Sequence, residues 1–331
     1  MAAELHAIDE LDRRIVERLR VDGRETNRSL AATLGVNEAT IAARLRRLEA
    51  ARLIHVVALT DIQRLGFACF ALAMITVAER PVLAVAADLA QIPQTISVNV
   101  HTGRYDVICA VLARDLDELG EVIGEAIPRV AGVATVRCEL AVDVPRFDSA
   151  WAALTAGQEG AELPRPSLPT GAVDDLDLRI IEALQQDARS SNRSIAAALD
   201  VSEGTVRTRL RRMEDEGLVR IRAVSDVLSF GLRAAATIGV HVDAGQIDAA
   251  ARGLGGITGV AAIIRSLGEF DFVLIVIAHT REELLDQLLN GIQALPGIRA
   301  TETFENVATL KHVYTWVRLV EDAASEQRAI G

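Results

Sequence analysis

Aromatic residues make up only 3% of the 331 residues, cysteine occurs three times, and lysine occurs once, at Lys311. A core must therefore be built from Ala, Leu, Val and Ile, and with 50% hydrophobic residues such a core is within reach. Cys69, Cys109 and Cys138 are odd in number and scattered through apolar segments. That excludes a disulfide framework and any Cys-x-x-Cys metal site, so small buried thiols in a reducing cytoplasm are expected, with no metal and no cofactor. The longest apolar runs, Phe67–Ala78 and Phe272–Ala278, fall well short of about 18 residues, so no membrane span is expected. Met1–Ala7 has no basic segment ahead of an apolar stretch, so no secretory signal is expected either. An excess of positive charge is also missing: 46 acids against 35 bases leave a net charge of −11. Taken whole, that opposes nucleic-acid binding, so the placement of the bases decides the matter.

A chain of this length has room for two to four domains, and the sequence laid on itself shows how they arise. At an offset of 165 residues, Asp9–Phe67 meets Asp174–Leu232 without a gap, with nearly half the positions identical. The same offset carries Gly103-Arg-Tyr-Asp106 onto Gly268-Glu-Phe-Asp271, and Gly132 onto Gly297. One unit of about 140 residues is present twice. Between the copies, Arg146–Ala172 is rich in Ala, Gly and Pro and reads as a partly extended linker, with a short helical turn expected over Ser149–Ala156.

Each unit opens with three short helices, marked by apolar residues three and four apart: Leu11, Ile15 and Leu19, then Leu30 and Leu34, then Ile41, Leu45 and Leu48. Asn27, Asn37, Asn192 and Ser202 are candidate N-caps. Gly35-Val36, or Asp200-Val201, gives the tight connection of a helix-turn-helix. Leu53–Leu59 and Leu218–Val224 would add a short strand or wing. The rest of each unit alternates: strand Gly66–Val77, helix Val82–Ile92, strands Thr95–Val100 and Tyr105–Leu112, helix Leu116–Val130, strand Val133–Val144. The second copy repeats this from Leu232 to Val317, with helices over Gln246–Leu254 and Arg281–Leu295. The order β-α-β-β-α-β is that of a ferredoxin-like sandwich. The fold class is thus α+β, two copies of a winged helix-turn-helix followed by a ferredoxin-like domain. The expected segments are 1–60 and 173–225 for the heads, 61–147 and 226–320 for the sandwiches, 148–172 for the linker and 321–331 for a flexible tail.

Four motifs recur in order in both halves: Leu11-Asp12-x-x-Ile15, Asp22-Gly23-Arg24-x-x-Asn27, Arg44-Leu45-Arg46-Arg47-Leu48-Glu49 and Gly103-x-Tyr105-Asp106. Together they resemble the Lrp/AsnC family of transcription regulators. The resemblance implies a non-enzymatic, DNA-binding protein that senses an amino acid or similar small effector and assembles into homo-oligomers. Here the fused units would let one chain imitate a dimer, with its two sheets packed together. The recognition helices start Asn37-Glu38-Ala39-Thr40 and Ser202-Glu203-Gly204-Thr205, where many members have Ser-Pro-Thr, and Asp187-Ala188-Arg189 replaces Asp-Gly-Arg in the second copy.

Arginines cluster on the third helices at 44, 46 and 47 and at 207, 209, 211 and 212. Thr40 with Arg44, and Thr205 with Arg209, lie four residues apart and so share a helix face. This face, with Arg47, Arg207 and Arg212, is expected to enter the major groove of double-stranded DNA, the alternative being arginines that are simply solvated or paired with acids such as Glu49. Asn27, Arg28 and Ser29, and Asn192, Arg193 and Ser194, start the second helices, where free N–H groups and the positive dipole end can hold a phosphate. Two unlike heads predict an imperfect palindrome with half-sites about one helical turn apart, or a multiple of it. For the effector, the candidates are Thr102, Gly103, Tyr105 and Asp106 in the first hairpin and Leu267, Gly268, Phe270 and Asp271 in the second. Glycine there can expose N–H groups to a carboxylate, and an aspartate can take an ammonium. The alternative role for the same residues is local, Gly supplying the turn and Asp bonding its own backbone.

Some relatives of this architecture resemble siroheme decarboxylases instead, through a His-rich segment near the same hairpin. This chain has only His101 there, opposite Ser266, and no cofactor cradle, metal cluster or catalytic triad motif. A ligand-binding protein with decayed heads is the third alternative, prompted by Glu38 and Glu203.

Overall fold

The computed structural model describes residues 8–152, 154 and 173–317. The expected N-terminal segment before residue 8, most of the linker and the tail from 321 onward lie outside the described residues. Each head is three helices: α1 (Glu10–Val21), α2 (Asn27–Leu34) and α3 (Glu38–Ala50) in the first, α6 (Asp175–Gln186), α7 (Asn192–Leu199) and α8 (Glu203–Asp215) in the second. Local chemistry sets their starts. Asp9 and Asp174 cap α1 and α6 in reciprocal boxes with Asp12 and Asp177. Asn37 and Ser202 cap α3 and α8, as expected. Asn27 and Asn192 do not cap: Thr26 and Ser191 do, their hydroxyls accepting from Ser29 N and Ser194 N. Those hydroxyls stand one residue earlier and make the shorter reach. Helix α2 ends on Gly35 at φ 70°, whereas α7 ends on Asp200 at φ 56°, a left-handed backbone that favours glycine.

The expected wings are longer than anticipated and pair with each other. Strand β1 (Ile54–Asp61) lies antiparallel to β7 (Val219–Asp226), with Ile54 opposite Ser225 and Thr60 opposite Val219. Two short strands flank them, β6 (Trp151–Ala152) parallel to β7 and β12 (Trp316–Val317) parallel to β1. The helical turn expected over Ser149–Ala156 is thus replaced, where described, by an edge strand. Its pairing with β7 supplies backbone partners that an isolated helical turn would lack. One apolar core, including Ile15, Leu19, Ile41, Leu48, Ile180, Leu184, Val206 and Met213, runs through both heads. Gly23 belongs to this contact: its N–H donates to Ile221 O at 2.9 Å, and a Cβ there would stand 2.8 Å from Arg222 N. The backbones meet too closely for a side chain.

The ferredoxin-like halves follow the predicted order: β2 (Cys69–Val77), α4 (Val82–Leu89), β3 (Thr95–Thr102), β4 (Val107–Ala113), α5 (Leu116–Glu121) and β5 (Val133–Phe147). The second copy has β8 (Ala234–Val242), α9 (Ile247–Gly255), β9 (Val260–Leu267), β10 (Phe272–Ala278), α10 (Arg281–Asp286) and β11 (Ile298–His312). Helices α5 and α10 are shorter than expected because each passes into a π-turn, at Val122–Ala126 and Gln287–Ile292. The two sheets do more than pack. They close into one eight-stranded barrel, β10-β8-β11-β3-β4-β2-β5-β9. Strands β5 and β11, 15 residues each, make the seams. The first half of β11 pairs with β8 and the second with β3, while β5 likewise passes from β2 to β9. Closure consumes the edges of both sheets, so among the described residues no barrel strand is left as an edge for a further chain to pair with.

Candidate DNA-binding face and ligand-sensing site

Buried Ile41, Leu45 and Leu48 define the inner stripe of α3, and Val206, Leu210 and Met213 that of α8. Arg44 and Arg47 flank this stripe and turn back onto the head. Arg44 bonds Asp9 and, at 3.0 Å, Asp12; Arg47 bonds the other Asp12 oxygen. The second head repeats the arrangement: Arg209 meets Asp174 at 2.6 Å and Asp177 at 3.0 Å, and Arg212 meets Asp177 at 2.5 Å. Asp12 and Asp177 are buried, so each pair is an anchor between first and third helix. The Arg44 hydrogen bond holds the Asp9 carboxyl down at about 2. Four of the arginines expected in the groove are therefore engaged with aspartates of their own head.

Thr40 and Thr205 lie at the expected helix starts, their hydroxyls tied to the capping Asn37 and Ser202 at 2.9 and 2.8 Å. Asn27 and Asn192 serve the junction between heads. Arg24 donates to Asn192 Oδ1 at 3.0 Å and Ser190 O at 2.6 Å; reciprocally, Arg189 donates to Asn27 Oδ1 and Glu25 O at 3.2 Å each. Ser29 donates its hydroxyl to buried Glu25, which Arg18 also holds at 2.9 Å; Ser194 is exposed.

What remains outward is a smaller set. Arg28, Arg46, Arg193 and Arg207 are exposed and make no ion pair among the described residues. Arg211, 82% exposed, has only a 3.8 Å contact with Asp215. Arg44 and Arg47 lie on the flank of the stripe that meets α1, whereas Arg46 and its copy Arg211 lie on the other flank. Helical spacing leaves Arg46 and Arg47 about equally far from the stripe, so it is the contact with α1 that separates them.

Barrel closure brings the two candidate hairpins together at the end away from the heads. Tyr105 and Phe270 point inward and are buried, stacking around Phe304 with ring centroids 5.4 and 6.3 Å away. Burial together with a 2.7 Å hydrogen bond to Glu269 pushes the Tyr105 hydroxyl up to about 12. Thr102, Gly103, Leu267 and Gly268 are exposed at the tips. Gly103 takes φ 120°, a conformation that favours glycine. Asp106 and Asp271 each commit one oxygen to backbone, Val77 N and Val242 N at 2.7 Å. The Gly103 hairpin is pinned across the seam by Arg104, on Glu302 at 2.9 Å and Glu269 at 2.6 Å. Sequence reasoning missed Glu139, a buried carboxylate from β5 that accepts from Glu269 N at 2.7 Å and Phe270 N at 3.2 Å. It occupies the N–H groups of the second turn, and burial pushes its pKa up. The corresponding position in the first copy's turn is Phe304, so the two hairpins are not equivalent.

His101 offers little to a metal or haem. Its Nδ1 lies 3.1 Å from Asn99 O and its Nε2 3.2 Å from Thr237, and burial lowers its pKa to about 4. No metal-binding group of His, Cys, Asp or Glu occurs among the described residues, and no described helix is long and apolar enough to cross a membrane.

Comparison with known proteins agrees with this geometry. The AsnC-type helix-turn-helix domain matches residues 8–49, a winged helix-turn-helix DNA-binding family matches 173–220, and the Lrp/AsnC ligand binding domain matches 71–150 and 235–315. The HTH-type transcriptional regulator FL11 of Pyrococcus horikoshii is 31% identical over 140 residues, 42% of this chain and 92% of its own. Ptr1 of Methanocaldococcus jannaschii, also an HTH-type transcriptional regulator, is 27% identical over 140 residues, 42% of this chain and 95% of its own. Across the whole chain, the crystal structure of the siroheme decarboxylase NirDL superposes with a TM-score of 0.64, covering 92% of this chain and 93% of that one. At 17% identity that likeness shows the fold alone. With two helix-turn-helix heads and two Lrp/AsnC ligand-binding segments, the chain belongs to the Lrp/AsnC family of transcriptional regulators, in a tandem form, and is a DNA-binding regulator rather than an enzyme.

Proposed function

We propose that this regulator reads a specific operator through Arg28 and Arg46 of one head and Arg193, Arg207 and Arg211 of the other, and that an amino acid or similar small effector sets its affinity. The observation that carries the reading is the division of arginines. Those on the flank that faces α1 or α6 tie first and third helices together, and those on the other flank or at the starts of α2 and α7 are exposed and unpaired or nearly so. Exposed cations beside the N-terminal ends of α2 and α7 suit phosphate contact, and those along α3 and α8 suit guanine edges. The first recognition helix presents mostly alanine outward (Ala39, Ala43, Ala50), while the second presents Arg207, Thr208 and Arg211. The second head therefore makes more of the polar contacts, and the operator half-sites differ.

For the effector, the exposed hairpin tips are the seat, with the second oxygen of Asp106 or Asp271 meeting an ammonium. Glu139 already fills the backbone donors of the second turn, so the first hairpin is the stronger seat. Assembly of several chains around these tips, as dimers or tetramers, would convert effector binding into altered head presentation by differential affinity for the assembly states. Fluorescence anisotropy with DNA from upstream of the gene, titrated with salt, tests the DNA reading. Calorimetry with an amino-acid panel on Asp106→Ala and Asp271→Ala tests the effector reading, and unchanged affinity in both variants rejects it.

A further inference from the structure

The barrel interior is filled by aromatic side chains at the hairpin end but not at the end facing the heads. There Ala110, Ala235, Ala261 and Ala262 leave a cavity of about 220 Å³. The duplication has diverged at the residues that point into it. By the repeat offset Ser97 corresponds to Ala262, Asn99 to Ile264, Phe70 to Ala235, and Leu72 to Thr237. On the seam strands, Asn306 and Thr309 of β11 correspond to Ala141 and Val144 of β5. Positions on the helix-covered face stay apolar in both copies, as Val98 with Ile263 and Cys109 with Leu274. One wall of the cavity is consequently polar and the opposite wall apolar. Two identical subunits could not build that asymmetry.

The polar wall is a connected network with one open end. Asn99 Nδ2 donates to Ser97 Oγ at 2.6 Å, Thr309 Oγ1 to Asn99 Oδ1 at 2.7 Å, and Asn306 Nδ2 to Thr309 Oγ1 at 3.3 Å. Asn306 Oδ1 is buried and has no partner. Leaving a buried acceptor unmet is unfavourable, and a ligand that donates to it recovers the loss. Asp148 is the one acid among the lining residues. No Lys or Arg lines the cavity, and the imidazoles of His101 and His312 stay neutral because burial lowers both to about 4. The Asp148 carboxylate accepts from Ala150 N at 2.9 Å, and the Arg20 guanidinium lies 4.1 Å over the Trp151 ring.

We propose that this cavity is a second ligand site, one per chain and separate from the hairpins, for an uncharged, mainly apolar small molecule carrying an N–H or O–H donor, such as an aromatic carboxamide. Its floor links the two functional layers. Ile62 belongs to the core of the heads. Val317 pairs with Asp61 of β1, and Ala152 with Asp226 of β7. A ligand here touches the barrel wall and the strands bound to the wings at once, so occupancy changes how the heads are held.

Benzamide is the probe, followed by saturation-transfer NMR and calorimetry on the full chain, with benzoate as the charged comparison. Saturable benzamide binding at one site per chain is expected. Benzoate should not bind, Asn306→Leu should weaken benzamide by about three- to tenfold, and Ala262→Phe should abolish it by filling the space. Circular dichroism identifies any variant that fails to fold, and Asn306→Leu, a change of similar volume, keeps the test open if Ala262→Phe does. Asp106→Ala and Asp271→Ala should leave benzamide binding unchanged, which separates this site from the hairpins. Absence of saturable benzamide binding overturns the proposal. So does equal binding of benzoate, or binding indifferent to Asn306→Leu. DNA affinity that does not move with saturating benzamide overturns the coupling to the heads.

Discussion

Replacing Asp12 by Ala should loosen the first head more than any exposed charge change. Asp12 is fully buried, takes Arg44 on one oxygen and Arg47 on the other, and accepts the Asp9 N–H at 3.1 Å as half of a capping box. Removing one partner of a buried ion pair costs about 3–5 kcal/mol, and loss of half of the capping box costs up to about 2 kcal/mol. Because the chain has several cooperative units, a single melting temperature is a poor readout. Hydrogen exchange along α1 and α3 resolves the head directly. At about 1.4 kcal/mol per tenfold, protection there should fall by a hundredfold or more, with the barrel strands β2 and β4 unaffected. Arg44→Ala should also weaken protection while leaving the salt dependence of DNA binding intact, since its guanidinium serves the head. A destabilisation in Asp12→Ala below about 1 kcal/mol, or an Arg44→Ala salt slope reduced as much as that of Arg46→Ala, would refute the reasoning.

Three further outcomes are expected. Asp200→Gly should stabilise the second head by about 0.5–1 kcal/mol in urea unfolding, because glycine accepts the left-handed end of α7 without strain; a lower midpoint contradicts this. His101 and His312 titrate near 4 in the fold against 6.5 when unfolded. The unfolded chain therefore binds protons that the native one does not, and stability falls as pH drops from 6.5 towards 4, by about 3 kcal/mol for each. His312→Gln should flatten that dependence by roughly half of this two-histidine contribution, and an unchanged profile from pH 7 to 4 contradicts it. Lys311 is buried, burial lowers its pKa, and its Nζ donates to Ile92 O at 3.2 Å, a carbonyl that also accepts from Thr95 Oγ1 at 2.8 Å. Lys311→Met should raise the stability measured by urea unfolding by about 1–2 kcal/mol at pH 7, the gain shrinking as pH rises towards about 10.5, where the unfolded lysine also gives up its proton.

Much of the architecture was legible in the chain because its determinants are local. Apolar spacing marked the three helices of each head, and the 165-residue offset revealed the duplication. What escaped depends on partners distant in sequence. Seam pairing of Arg265 with Asp143, or of Thr102 with Glu305, is a product of barrel closure and carries no local motif. Asp12 reads as a polar helix-start residue until the fold sets Arg44 and Arg47 against it. Asn27 and Asn192 have the chemistry of caps or phosphate contacts, yet the meeting of two heads gives them Arg189 and Arg24 instead. The hairpin motif marked the turns, but Glu139, which enters the second turn, lies 130 residues from it.

The most direct test of the central claim is the salt dependence of DNA binding for wild type and for Arg46→Ala combined with Arg211→Ala. Each phosphate no longer neutralised by an arginine lowers the slope of log K against log salt by about 0.9, so the double variant should show a slope smaller by up to about 1.8. An undiminished slope and affinity in that variant would mean that the outward arginines do not meet DNA.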